Sequence, residues 1–231
     1  MSQKLPPGQY PIRVLPRFGA HLTEPPPPLL DDPVIEVVGA VDRPFSLRVA
    51  DLASLERREV SADLHCVSGW SATDLHWEGV RFVDLYRRVL EPSVPSASMV
   101  THVVLGGLDG YRATLLLEDL LAGNVLVADR LDGRPLDGDH GAPVRLVSPD
   151  QYGYMSVKHL CLIELHERAP TRRYHRRRRA QATLSLLAPH PRARVWQEER
   201  HRLLPGWLVR PVYRSAVTVV RRFNAKRPAR Q

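Results

Sequence analysis

A β-rich α+β domain with short helices is the fold class this chain predicts, and three observations carry it. Short runs of Val, Ile, Leu and Thr recur between residues 34 and 165, bounded by Gly, Pro or Asp, the composition of strands closed by turns. Sustained helical spacing is secure in one segment. There Phe82, Leu85, Tyr86, Val89 and Leu90 form an apolar stripe opposite Arg81, Asp84, Arg87 and Arg88. Strands and helices do not alternate in a regular βαβ rhythm, and no internal repeat is present.

In chain order, residues 1–33 read as an irregular arm containing Pro25-Pro26-Pro27-Pro28, where consecutive prolines fix φ and remove backbone donors. Regular structure is expected from Val34-Ile35-Glu36-Val37-Val38-Gly39, then in the alternating Phe45-Ser46-Leu47-Arg48-Val49. Asp51 is placed to cap a short helix through Leu55. Residues 58–67 read as one strand ending at Cys66, and the helix over 82–90 stops at Pro92. Further strands are expected over 99–105, 111–116, 125–128, 144–147 and 159–165, with one or two helical turns over 117–121. Asp132-Gly133 is a hairpin-type turn. The organisation is thus an arm over 1–33, a folded domain over 34–167 and a basic extension over 168–231.

Composition narrows the function classes. With 231 residues, 43% of them hydrophobic and 25% charged, the chain can build a packed core. Its two cysteines, Cys66 and Cys161, exclude a disulfide-stapled module and a four-cysteine zinc site. No window approaches the length of a membrane span, and the opening residues carry neither an apolar leader core nor a twin arginine, so a cytoplasmic location is expected. The net charge of +8 is concentrated after Arg168, which points to an anionic partner for the extension.

Two stretches carry candidate chemistry. Cys66 sits where a strand-like run gives way to Val67-Ser68-Gly69-Trp70-Ser71, a junction suited to presenting a thiolate to a soft metal. A buried structural cysteine fits the same residue, as Cys161 between Leu160 and Leu162 does. His65 and His76 allow zinc by residue type, at a spacing that matches no common site. The second stretch runs from Asp139-His140-Gly141-Ala142-Pro143-Val144-Arg145 to Ser156-Val157-Lys158. Arg145 suits bidentate anion binding, His140 a hydrogen bond to oxygen, and Lys158 a point charge. Gly153 with the amides of Ser156 and Val157 can form a donor nest. A surface hairpin with solvated charges reads equally well from these residues.

Cys66-Val67-Ser68-Gly69-Trp70-Ser71, Gly107-Leu108-Asp109, the segment from Asp139 to Arg145 and residues 153–158 occur in that order. The ordered set resembles the catalytic domain of the sulfite oxidase family, molybdopterin-dependent oxidoreductases, over about residues 8–166. The resemblance implies a β-rich mixed sulfite-oxidase-type molybdopterin-binding fold and an enzyme performing two-electron oxygen-atom transfer. It implies Mo-molybdopterin as cofactor, with Cys66 as the metal's protein ligand and the catalytic residue. His65, Asp109, His140, Arg145, Ser156, Val157 and Lys158 would contact the pterin and its phosphate, and Phe18 and Gly19 would pack over it. Trp70 and Ser71 stand where sulfite oxidases carry substrate-binding arginines, and Met155 replaces another. The Cys-Val-x-x-Trp-Ser pattern is closer to the bacterial methionine-sulfoxide reductase branch, which has an asparagine at the position of His140. Small S- or N-oxides are therefore expected ahead of sulfite.

No haem-attachment Cys-x-x-Cys-His and no iron–sulfur cysteine cluster occur, so a separate electron-transfer partner is expected. The extension holds Arg172-Arg173-Tyr174-His175-Arg176-Arg177-Arg178-Arg179, then an apolar stripe through Val209, Tyr213, Ala216, Val217, Val220 and Phe223 flanked by arginines. A basic amphipathic helix suits a membrane surface or a partner protein. Nucleic acid is disfavoured by a single aromatic, Tyr174, in the block. The rival to the enzyme is a non-catalytic β-rich binding module whose tail docks on nucleic acid or an anionic membrane.

Overall fold

The structure is a computed structural model that describes residues 4–17, 25–170 and 189–213. In chain order its strands are β1 (Tyr10–Ile12), β2 (Val34–Gly39), β3 (Phe45–Arg48), β4 (Arg57–Ser61), β5 (Leu64–His65), β6 (Trp70–Ala72) and β7 (His76–Arg81). They continue with β8 (His102–Gly107), β9 (Arg112–Leu116), β10 (Leu126–Leu131), β11 (Arg134–Pro135), β12 (Arg145–Val147) and β13 (Leu160–His166). Two single-turn helices, α1 (Phe82–Leu85) and α2 (Leu117–Leu120), join them.

One five-stranded sheet has the order β3-β2-β13-β8-β9. β13 pairs parallel with β2 and antiparallel with β8, and its apolar Leu160, Ile163 and Leu165 enter the main core. A second sheet runs β11-β10-β7-β4, with β12 also on β10. A three-stranded sheet, β1-β6-β5, holds the cysteine end of the molecule. A smaller core gathers Leu15, Cys66, Trp70, Ala72, Leu75, Trp77, Leu126, Ala128, Leu136, Ala142 and Val147. Each large apolar side chain buried there contributes about 1.5–3 kcal/mol. This smaller core joins the β5–β6 turn to the segment that leads into β12.

Four expectations change. The arm is not wholly irregular, because β1 pairs parallel with β6, Tyr10 opposite Trp70. Residues 58–67 are not one strand. The chain breaks between β4 and β5, where Asp63 Oδ1 accepts the amide of Asp74 at 3.0 Å. The helix over 82–90 starts as α1 but passes into a π-helical turn at Tyr86–Leu90 and a 3-10 turn at Glu91–Ser93 that includes Pro92. Asp51 lies inside a 3-10 turn and binds Arg48 at 2.7 Å instead of capping.

The extension beginning at residue 168 is in part core. Ala193 and Val195 are fully buried, with Tyr152 N donating to Ala193 O at 2.9 Å and Val195 N to Asp150 O at 3.0 Å. Arg192 adds an ion pair with Asp119 at 2.5 Å. Helical residues 206–213 bury Val209 and expose Trp207, Leu208 and Val212. The arginine block at 172–179 and the stripe beyond 213 lie outside the described residues. Among the described residues no helix is long and apolar enough to cross a membrane.

Candidate functional site

Cys66 follows β5 in a tight turn, with Cys66 N donating to Trp70 O at 2.8 Å and Gly69 N to Cys66 O at 3.0 Å. Gly69 closes the turn at φ +99°, a left-handed conformation that a side chain strains. Distant residues hold the turn's carbonyls. Gln9 Nε2 donates to Cys66 O at 3.1 Å, Tyr10 N to Gly69 O at 3.1 Å, and Arg200 Nη1 to Val67 O. The sulfur lies 3.0 Å from Ser68 Oγ, and Cys66 is 5% exposed. Burial pushes the thiol up to about 11, against the opposing pull of the Ser68 hydrogen bond and the Arg200 charge. His65 is also buried and its pKa is lowered by desolvation. Its Nδ1 meets Ser71 Oγ at 2.7 Å, and its carbonyl accepts Gly153 N at 2.7 Å.

The basic residues converge on the turn over 137–141. Arg145 opens β12 at 2% exposure, with Nη1 donating to His140 O at 2.8 Å and Nη2 to Ser156 O at 3.2 Å. Its guanidinium lies 5.2 Å above the Trp77 ring. Lys158 Nζ donates to Asp139 O at 2.6 Å. Among the described residues neither cation has a carboxylate within 4.0 Å; Asp139 pairs with Arg17 at 3.2 Å. Desolvation lowers Arg145 to about 10 and Lys158 to about 7, with Arg145 and Arg17 repelling the ammonium and Asp139 and Asp109 opposing them. Buried positive charge without a counter-ion costs several kcal/mol, so this cluster favours an anion. Gly141, at φ +110°, lets the turn approach: a Cβ there meets Lys158 Cβ at 3.0 Å and Arg145 Cβ at 3.2 Å.

The other expected contacts are arranged differently from their sequence reading. Asp109 Oδ1 accepts Tyr111 N at 2.8 Å, while its charge acts on Lys158. Both ring nitrogens of His140 are engaged, Nδ1 with Asp137 Oδ1 at 2.7 Å and Nε2 with Leu15 O at 3.0 Å. The amides of Ser156 and Val157 do not form an open nest; they donate to Gly153 O at 3.2 Å and Met155 O at 3.0 Å. Tight local turns consume those donors. His76 bonds Ser61 at 2.9 Å, and no metal-holding group of three His, Cys, Asp or Glu residues forms among the described residues, so Cys66, His65 and His76 do not make the zinc site. Phe18 and Gly19 lie outside the described residues. Two cavities, of about 570 and 210 Å³, are lined by Gly39, Ser98 and Leu165 and by Val49, Arg57 and Asp129, away from Cys66.

Sequence reasoning missed Gln9, Arg200 and His159, whose Nδ1 meets Ala142 O at 2.7 Å. Gln9 sits in an arm read as irregular and Arg200 in a stretch rich in charge, so neither has a local signal. The cation acting on the Cys66 sulfur is Arg200, not Arg145 or Lys158.

Comparison with known proteins gives this geometry a family. The model of the oxidoreductase molybdopterin-binding domain matches residues 25–174. The uncharacterized oxidoreductase YuiH of Bacillus subtilis is 36% identical over 126 residues, 54% of this chain and 61% of its own. The protein-methionine-sulfoxide reductase catalytic subunit MsrP of Xanthomonas campestris is 28% identical over 189 residues, 74% of this chain and 57% of its own. The chain thus spans about three fifths of the length of these curated relatives. The fold is similar to the sulfane dehydrogenase SoxCD of Paracoccus pantotrophus, with a TM-score of 0.51 and 20% identity over 59% of this chain and 39% of that one. The family match covers well over half of the sequence, and the chain belongs to the oxidoreductase molybdopterin-binding domain family, with a domain of the sulfite oxidase type.

Proposed function

We propose that the chain is a molybdopterin-dependent oxidoreductase that removes an oxygen atom from a small S- or N-oxide, with Cys66 as the protein ligand of molybdenum. The observation that carries this reading is a pairing of opposites across one small core. A cysteine turn lies on one side, and on the other a buried Arg145 and a half-buried Lys158 have no carboxylate partner among the described residues. A soft donor and an uncompensated cationic cluster are the two things a metal dithiolene with a phosphate tail requires. The relative named a protein-methionine-sulfoxide reductase points to the same substrate class.

The cofactor supplies the two-electron redox chemistry. The chain's own residues ligate, orient and exclude water. Cys66, whose sulfur lies 3.0 Å from Ser68 Oγ, would hold the metal as a thiolate, which requires loss of the thiol proton. Arg145 keeps the 137–141 turn and residue 156 in register through its carbonyl bonds, and an anion there would favour the charged form of Lys158. For a sulfoxide, the S–O bond breaks, sulfur gains two electrons, and oxygen leaves as water with two protons. The electrons come from a separate protein or small carrier. No side-chain acid or base is assigned.

The test is molybdenum content, measured by mass spectrometry, and sulfoxide reduction with a reduced viologen dye, in protein made by a molybdopterin-competent host. Metal near one equivalent and activity lost in Cys66→Ala are expected. Metal-free wild-type protein, or equal activity in the variant, overturns the reading.

A further inference from the structure

Arg200 lies beyond residues 25–174, the span of the family match, yet it returns to the cysteine turn. It is 1% exposed, stacked between the rings of Tyr152 at 5.1 Å and Tyr213 at 5.7 Å. Its Nη1 donates to the carbonyl of Val67, the residue after Cys66, and Nη2 points toward the carbonyls of Pro7 and Gly8 at 3.5 Å. Its Nε is buried without a partner, and no carboxylate lies within 4.0 Å of it among the described residues. A charged side chain stripped of water and given carbonyls as partners is expensive to keep. Here it ties three segments together: the arm, the cysteine turn and residues 189–201. Gln9 completes the clamp from the opposite end of the chain through Cys66 O.

We propose that Arg200 is a positioning residue for Cys66: its guanidinium, carried back by residues 189–201, clamps the Val67 carbonyl and sets the turn that presents the sulfur. The C-terminal segment is therefore part of the site. The inference about metal retention rests on the proposed function; the clamp itself does not.

Hydrogen exchange by mass spectrometry on the full chain separates the two. In Arg200→Met the amides of residues 66–69 are expected to exchange about tenfold faster than in wild type, with β13 unchanged. Arg200→Lys, which keeps the charge and one donor, is expected to recover part of the protection. Unchanged exchange at 66–69 in a folded Arg200→Met protein overturns the clamp. Should Arg200→Met lose protection throughout, Arg200→Lys decides: faster exchange confined to the turn supports the clamp, and uniform or absent change overturns it. In metal-loaded protein, Arg200→Met is expected to lose molybdenum on dialysis about tenfold faster; equal loss overturns the retention role. Metal-free wild-type protein counts against the proposed function and leaves the exchange result to judge the clamp.

Discussion

Arg145 and Lys158 grip one turn from two sides. The guanidinium donates to His140 O at 2.8 Å and the ammonium to Asp139 O at 2.6 Å. Adjacent carbonyls thus hold two cations, and desolvation, with their mutual repulsion second, lowers the Lys158 pKa to about 7 from its ordinary 10.5.

That shift makes stability depend on pH. Between about 7 and 10.5 the unfolded chain keeps the Lys158 proton and the folded chain releases it. Stability therefore rises with pH across that window, by an amount on the order of 1–2 kcal/mol between about pH 7 and about pH 9. Urea midpoints of the metal-free protein at the two pH values check this, and Lys158→Met is expected to flatten the slope. A slope of the opposite sign, or one that persists in the variant, contradicts the assignment.

Arg145→Met removes a buried charge but also strips donors from the carbonyls of His140 and Ser156. The expected cost is about 2–4 kcal/mol, read from denaturant unfolding. Arg145→Lys is not expected to restore it, because one ammonium cannot span both carbonyls with the geometry of the planar fork.

Gly141→Ala places a methyl 3.0 Å from Lys158 Cβ at a left-handed φ of +110°. A loss of about 2–3 kcal/mol is expected. Gly110→Ala, at φ +75° with open space around it, is the control and is expected to cost about 1 kcal/mol from backbone strain alone. Equal losses would show that the close approach of the turn to Lys158 carries no weight.

Cys66→Ser preserves shape and keeps a hydroxyl for Ser68, so thermal unfolding is expected to shift by less than about 2 kcal/mol. Turnover by metal-loaded protein is expected to fall by at least about 100-fold, since the soft ligand is gone. Wild-type turnover in this variant would remove Cys66 from the metal's ligand set.

Much of the sheet framework was legible because period-two and β-branched runs are local signals, as at β2, β8 and β13. Short strands were not. β1 holds three residues and exists because it pairs with β6 across 60 positions, Tyr10 opposite Trp70. The long strand read over 58–67 broke where the Asp63 carboxylate takes up the Asp74 amide, a contact no window of sequence contains. The helix over 82–90 was legible as an apolar stripe that buries Phe82, Leu85 and Leu90, but its passage into π and 3-10 turns has no local signal in the sequence.

By itself the sequence determined a soft donor at Cys66, a basic segment from Asp139 to Lys158, and enough strand-forming runs to enclose both in a β-rich domain. These depend on residue type and short spacing. Only the tertiary structure decided that a buried Arg145 and a half-buried Lys158 lack carboxylate partners among the described residues and that the cation beside Cys66 is Arg200, 134 positions further on. Burial and long-range charge placement depend on which segments pack together, and the free energy of that packing is shared across the whole chain rather than written in any one stretch of it.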